Sequence, residues 1–306
     1  MTAAGEGGLR AGIDIGGTGL RLVMLQAGRE VAAVTLPTAT FERYARADRP
    51  GQLARYILQL LPARSHLLSL GIGASGPVDM ARGVIENPGT LPVFSGFALV
   101  APLREQLQIP VAIDNDAVTA ALGEFHLGAG VGSQRLLTVT LGTGVGVALL
   151  VNGQPWRAVD GSHPEGGHIP VSDDLHQCYC GLSGCWETLA SRSWLQTQLA
   201  TLLPDVAYER QDLAFFQARA ADDVKVRELF EQYGRQVGRG LNSLAMLYGP
   251  DLIVLGGSAA RLYPLYEASL RGSVRRKAGF ELNMPIVPSS IGDAAGALGA
   301  ALLPTL

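Results

Sequence analysis

A strand, a turn of glycine and threonine, and a second strand occur twice in this chain. Leu9–Ile15 runs into Gly16-Gly17-Thr18-Gly19 and continues as Leu20–Leu25. Arg135–Leu141 runs into Gly142-Thr143-Gly144 and continues as Val145–Val151, closed by Asn152-Gly153. Apolar runs joined by such turns read as hairpins. One hairpin alone is an ordinary supersecondary unit. Its recurrence in the second half predicts two related α/β halves, each with a turn whose backbone N–H groups can line up on an anion. Asp14 ends the first strand beside its turn, where a carboxylate serves phosphate chemistry if Mg²⁺ lies between them.

The remaining pattern fits two such halves. Val31–Leu36 and Leu67–Ile72 read as strands and Leu53–Leu61 and Leu99–Leu107 as helices. Gly71-Ile72-Gly73-Ala74-Ser75-Gly76 matches a dinucleotide fingerprint in form only, because Pro77 and the strand-like Val78-Asp79 follow where a helix must open. Val111–Asp114 is a buried strand leading through Asn115-Asp116 into a helix over Ala117–Phe125, and Asp116 taken alone reads as its N-cap. Trp194–Leu203 and Asp223–Leu247 read as helices, the second stopped by Gly249-Pro250. Asp205–Asp212 reads as a surface connection. Asp251–Leu255 is a strand ending in Gly256-Gly257-Ser258, a glycine pair at a strand's carboxyl end where open α/β sheets hold nucleotides. Met284–Pro288 is a last strand and Asp293–Leu303 a closing helix. With 306 residues, 47% of them hydrophobic, the chain can bury two cores. A net charge of −3 without a Lys/Arg-rich run argues against nucleic acid as a partner. No apolar run is long enough to cross a membrane, and residues 1–8 read as a disordered polar tail, not a secretory signal.

All three cysteines fall in Cys178-Tyr179-Cys180-Gly181-Leu182-Ser183-Gly184-Cys185-Trp186-Glu187. An odd number cannot pair completely, and the one-residue gap strains a bridge between the first two. Thiolates at turn spacing suit a tetrahedral zinc site that needs one further ligand. His168 is the leading candidate, with His163 and His176 competing. Three reduced thiols without metal, or a redox site, are the other readings, the latter weakened by the lack of C-x-x-C. Free thiols place the chain in a reducing cytoplasm.

Together these segments resemble the ROK sugar kinases, a branch of the actin/hexokinase/Hsp70 ATPase fold. Asp14-Ile15-Gly16-Gly17-Thr18 is similar to the family's first phosphate turn, and Leu141-Gly142-Thr143-Gly144-Val145-Gly146 to its second. Asp114-Asn115-Asp116-Ala117 resembles the catalytic segment, Pro164-Glu165-Gly166-Gly167-His168 the sugar- and zinc-binding signature, the cysteine cluster the zinc loop, and Leu255-Gly256-Gly257 the adenosine segment. The resemblance implies two RNase H-like domains with a cleft between them and a zinc-braced loop. The domains would be residues 9–116 and 117–292, with helix 293–306 returning to the first. It implies a homodimer and transfer of phosphoryl from ATP to a hexose hydroxyl, the 6-OH of glucose first. Asp116 would be the general base. Asn115, Asp116, Glu165, His168 and Glu187 would bind sugar. Asp14, Gly16, Gly17, Thr18, Gly142, Thr143, Gly144, Gly256 and Gly257 would bind ATP and Mg²⁺. His168, Cys178, Cys180 and Cys185 would hold a structural Zn²⁺, with the second ring nitrogen of His168 turned to a sugar hydroxyl.

The chain departs from the pattern at Gly19, where the family usually has Lys, making Arg21 a candidate for the phosphates. It departs again at Gly89-Thr90-Leu91-Pro92, where Pro-Asn-Leu-Pro is common, with Asn87 nearby out of register. Rival readings are an N-acetylglucosamine, N-acetylmannosamine, mannose or fructose kinase, a kinase using polyphosphate, and a sugar-sensing regulator. Such regulators carry an N-terminal helix-turn-helix, for which the thirteen residues before Asp14 are too few.

Overall fold

The computed structural model describes residues 8–62, 65–173, 177–274 and 283–303. The expected tail therefore lies outside the described residues except for Gly8, which opens the first strand. The chain divides into two units. Unit 1 takes the described residues up to Gly132, Gly153–Pro155 and those from Asp293 onward; unit 2 takes Ser133–Asn152 and Trp156–Gly292.

Unit 1 is built on a mixed sheet of β1 (Gly8–Ile15), β2 (Gly19–Gln26), β3 (Arg29–Pro37), β4 (His66–Ala74) and β5 (Val111–Asn115), in the order β3-β2-β1-β4-β5. β1, β2 and β3 pair antiparallel; β4 lies parallel to β1 and to β5. The edge strand β3 alternates in exposure, whereas β4 is buried continuously from Ser69 to Ala74, as a strand covered on both faces must be. Ile15 pairs with Ala74, and Ala74 with Asn115. Three strand ends are thereby brought level on one edge of the sheet, and the residues that follow them converge there.

Helices α1 (Arg49–Leu60), α2 (Val100–Leu107) and α3 (Asp116–Leu127) surround this sheet. The closing segment is a 3₁₀ turn, Gly292–Ala294, and a six-residue helix of sequence AGALGA spanning Ala295–Ala300, shorter than the helix expected over Asp293–Leu303. It lies against β1, β4 and α3 at glycine contacts. A Cβ on Gly12 would meet the Ala297 carbonyl, one on Gly71 the Ala300 carbonyl, and one on Gly299 the Thr119 carbonyl. This packing explains why the division falls after Gly132 rather than between Asp116 and Ala117: α3 is sandwiched with the closing helix and stays with unit 1.

Unit 2 repeats the plan with β6 (Arg135–Leu141), β7 (Val145–Val151), β8 (Leu252–Gly256) and β9 (Ile286–Pro288), ordered β7-β6-β8-β9. β6 and β7 form the antiparallel hairpin, and β8 lies parallel to β6 and β9. Covering helices are the short α4 (Glu187–Ala190), α5 (Arg192–Leu202), α6 (Leu213–Asp222), α7 (Val224–Tyr248) and α8 (Tyr263–Ser273). α7 is capped by the Asp223 carboxylate, which accepts from Lys225 N, and ends at Gly249 in the left-handed conformation, φ 52°. The segment expected to be a bare surface connection carries a 3₁₀ turn at Tyr208–Arg210, because the Tyr208 ring is buried against Phe216. Each unit has its own apolar cluster, around Ile13, Ile72 and Phe94 in unit 1 and around Val139, Tyr233 and Leu255 in unit 2. Among the described residues, no helix is long and apolar enough to cross a membrane.

The glycine contacts yield a test. Gly71→Ala places a methyl against the Ala300 backbone, where overpacking costs roughly 1–3 kcal/mol. Chemical denaturation of the variant should show that loss, whereas Gly142→Ala, where a Cβ meets nothing within 4 Å, should unfold close to wild type.

Candidate active site and metal centre

On the level edge of unit 1, the first glycine turn is closed by Gly16 N donating to Gly19 O at 2.9 Å. Thr38 holds it from behind: its Oγ1 donates to Gly16 O at 2.8 Å and its N to Thr18 O at 3.1 Å. Gly17 and Thr18 remain exposed. Thr90 packs beside this turn, its carbonyl oxygen 3.1 Å from where a Gly17 Cβ would sit. Asn87 has a structural post: its Nδ2 donates to the Gly76 carbonyl at 2.6 Å and its Oδ1 accepts from Thr90 N at 3.1 Å.

Asp116 stands at the end of β5. It is the first residue of α3 and not its cap. The cap is Asn115, whose Oδ1 accepts from Ala117 N at 2.8 Å. The β-region backbone of Asn115 allows this, while Asp116 already has to turn into the helix. One carboxylate oxygen of Asp116 accepts from Ala117 N at 2.8 Å and the other from Ser75 Oγ at 2.6 Å. Ser75 was missed in the sequence, where it lay hidden in the G-x-G-x-x-G stretch; the signal was a small polar residue at the end of a buried strand.

Asp14 pairs across the hairpin with Arg21, which puts both side chains on one face of the sheet. Arg21 Nη2 is 3.3 Å from Glu30 Oε2, so the structure engages it with a carboxylate of β3. Burial, and then the nearby Asp116 and Asp293, push the Asp14 carboxyl up to about 7, with Arg21 opposing. Asp293 is a second residue the sequence reading had not singled out. A carboxyl raised in this way by burial and neighbouring acids is suited to a hard divalent cation such as Mg²⁺.

In unit 2, the second turn is closed by Gly142 N donating to Gly144 O at 3.0 Å. The start of α5 grips it: Arg192 Nη2 donates to Thr143 Oγ1 at 3.0 Å and Ser193 Oγ to Thr143 O at 2.9 Å. Neither residue was anticipated. Gly257, at φ 77°, lies directly on the Leu141 backbone, so the glycine pair at the end of β8 sits beneath this turn. The register of β8 on β6, with Gly256 opposite Thr140, puts it there. The Glu187 carboxylate also belongs to the turn: its Oε2 accepts from Val145 N at 2.8 Å and packs on Gly144. One oxygen of that expected sugar ligand is thus engaged by protein.

His168, Cys178, Cys180 and Cys185 gather with ligand atoms all within 4.8 Å of one another. Cys180 and Cys185 Sγ are 3.6 Å apart, and Cys178 Sγ is 3.6 Å from His168 Nδ1. Edges of a tetrahedron with metal–sulfur bonds of about 2.3 Å are of this length, and a disulfide is far shorter. The donor set therefore fits zinc. Of the competing histidines, His163 lies with its Nε2 3.8 Å from Glu165 Oε1, outside the cluster, and His176 lies outside the described residues. Gly181 at φ 91° and Gly184 at φ 69° supply the left-handed turns of the loop. Trp186, fully buried on Gly240 of α7 with Nε1 donating to Gln236 O at 2.9 Å, anchors its end. Gly166 and Gly167 lie against Val147 and Val145, setting Glu165 and His168 beside the second hairpin. The second nitrogen of His168 is the one that the resemblance turns to a sugar hydroxyl. Nε2 lies 3.1 Å from the Tyr179 hydroxyl.

The sequence profile of the ROK family matches residues 10–305. A glucokinase of Halalkalibacterium halodurans is 31% identical over 276 residues, 82% of this chain and 80% of its own. A xylose repressor of Bacillus subtilis is 27% identical over 246 residues, 80% of this chain and 62% of its own, so the chain spans less than two thirds of that relative. The crystal structure of a ROK family glucokinase from Streptomyces griseus, in complex with glucose and AMPPNP, aligns with a TM-score of 0.79 at 26% identity, covering 96% of this chain and 98% of that one.

Two outcomes are expected. Metal analysis should find about one zinc per chain, as a four-ligand site requires, and Cys180→Ser should lose most of it. For Asp14, the folded carboxyl keeps its proton to about pH 7, whereas the unfolded one loses it near 3.8. Stability then carries a penalty that is absent in acid, grows between these values and is complete above them. In metal- and nucleotide-free protein, Asp14→Asn should raise the melting temperature more at about pH 8 than at about pH 4.5. An equal gain at both would contradict the burial of the charge.

Proposed function

The chain belongs to the ROK family as one of its sugar kinases, and from that premise we propose that it transfers the γ-phosphoryl group of ATP to the 6-hydroxyl of a hexose, glucose first, with Asp116 as general base. The observation that carries this reading is the placement of Asp116 on the same strand edge as the first glycine turn and Asp14, its carboxylate steadied by Ser75.

Phosphoryl transfer asks mainly for positioning and charge neutralisation. Gly17 and Thr18 of one turn and Thr143 and Gly144 of the other would meet the phosphates through backbone N–H groups, and Gly256-Gly257 would take the adenosine. Asp14 would hold Mg²⁺, which would supply neutralisation of the phosphate charge. As the sugar oxygen bonds to the γ-phosphorus and the bond to the β-phosphate oxygen breaks, the hydroxyl proton passes to Asp116 and ADP leaves. The hydrogen bond from Ser75 and the one from Ala117 N keep Asp116 aimed.

Glu165 and the remaining capacity of Glu187 would hold sugar hydroxyls, and Asn115 would offer its amide N–H, its Oδ1 being committed to the cap. Zn²⁺ on His168, Cys178, Cys180 and Cys185 would be structural, since the four protein ligands fill its coordination. A second reading concerns the substrate. The Asn87 amide is spent on the Gly76 carbonyl and Thr90 occupies the space beside the first turn, so the loop over Gly89–Pro92 does not present the Asn that contacts sugar in the resemblance's Pro-Asn-Leu-Pro pattern. N-acetylhexosamines, mannose and fructose therefore belong in the same panel, and polyphosphate beside ATP as donor.

Asp116→Asn should lower turnover by roughly 10²–10⁴-fold while sugar still binds. Coupled detection of ADP across the sugar panel, with calorimetric titration of the variant, checks both. Turnover near wild type would sink the assignment of the base.

A further inference from the structure

Every carbonyl of the second glycine turn is already engaged. Gly142 O accepts from Arg192 N at 2.8 Å, Thr143 O from Ser193 Oγ at 2.9 Å, and Gly144 O from Gly142 N at 3.0 Å. Among the described residues, nothing accepts from the N–H of Thr143 or of Gly144. The Thr143 hydroxyl accepts from Arg192 Nη2 at 3.0 Å, which leaves its own proton to donate. Thr143 is exposed, so what the turn has left for a ligand is donors alone.

Arg192 adds a charge to these donors. Its side chain is half-buried against the turn, and among the described residues no carboxylate pairs with it and nothing accepts from its buried Nε. A carboxylate does touch the turn at Gly144, that of Glu187, whose Oε2 accepts from Val145 N at 2.8 Å. Its negative charge opposes an anion at the turn, and the guanidinium at Thr143 offsets it. The first glycine turn is built without such a group. Gly16–Gly19 contains no basic residue, and Arg21 beyond it has its Nη2 3.3 Å from Glu30 Oε2. A guanidinium fork fits two oxygens of a phosphate, and one already tethered to Thr143 loses little freedom on binding.

Resting on the sugar-kinase reading, we propose that Arg192 binds the phosphoanhydride chain of the phosphoryl donor at the second turn, together with the Thr143 hydroxyl and the N–H groups of Thr143 and Gly144. The side-chain cation for the donor's phosphates then comes from the start of α5 and not from the first turn. A phosphoanhydride chain is common to ATP and polyphosphate, and the test separates the two.

The test is calorimetric titration of full-length, zinc-loaded protein with Mg²⁺ and the 6-deoxy form of the hexose that the panel selects, which has no 6-hydroxyl to accept a phosphoryl group. The probes are a non-hydrolysable ATP analogue, inorganic tripolyphosphate and adenosine. Arg192→Gln should weaken phosphate-chain binding by roughly 10–150-fold, the range of a hydrogen bond to a charged group, and leave adenosine binding unchanged. Weakening of the analogue supports the proposal with a nucleotide as the source, and weakening of tripolyphosphate alone supports it with polyphosphate. The loss should shrink at high salt, which screens an ion pair. Arg192→Lys keeps the charge without the fork and should fall between wild type and Arg192→Gln; it still reads the contact should Arg192→Gln fail to fold. Wild-type affinity for both phosphate ligands in these variants overturns the proposal. So does a loss of the same size at low and high salt, which would make Arg192 a brace of Thr143 alone, and so does an equal loss for adenosine. If the panel selects no hexose and wild-type protein binds neither phosphate ligand, the sugar-kinase reading fails and the inference with it. Phosphate-chain binding that is indifferent to Arg192 removes only the inference.

Discussion

Backbone pairing between parallel strands sets the position of nearly every candidate residue in this protein. Ile15, Ala74 and Asn115 end their strands level with one another because the hydrogen-bond register of β1, β4 and β5 is unbroken at that end. The glycine turn, Ser75 and Asp116 are then neighbours by construction, although long stretches of chain separate them. In unit 2 the same constraint, with Gly256 opposite Thr140, brings the glycine pair under the second turn. A one-residue slip would turn every side chain to the opposite face, and would replace Gly12 and Gly71 by larger residues where the closing helix touches the sheet.

That register is held by close packing on small residues. The closing helix AGALGA reaches β1, β4 and α3 only because Gly12, Gly71 and Gly299 present no side chain. Its start brings Gly296 and Asp293 to the Asp14 carboxyl. The high pKa of Asp14 is thus a consequence of how the chain end packs: burial removes water from the carboxylate, and two further acids add their charge. Such a site is costly when empty and suited to a divalent cation.

The cysteine loop is organised differently. It has little regular structure, and its shape comes from two left-handed glycines, the metal-site donors and the buried Trp186 on α7. Through that anchor the loop delivers Glu187 to the second glycine turn, where a charge-assisted bond from Val145 N ties the end of the cysteine loop to that turn.

Much of this was legible in the sequence. The twin hairpins announced two related units, and the cysteine spacing with an upstream histidine announced a four-ligand site, because both are encoded locally, by alternating apolar residues and by residues a few positions apart. The choice between His168 and His163 was not local, since it depends on which histidine faces the loop and which lies beside Glu165. Nor could a linear pattern show that Asn115 caps α3 so that Asp116 stays available, that Ser75 steadies Asp116, or that Arg192 grips the second turn. Only the folded loop shows the Tyr179 hydroxyl turned onto Nε2 of His168. Periodicity and spacing decide which elements form and which donors are present. Which donors meet, and which are already spent on one another, is decided by register and packing between segments distant in the chain.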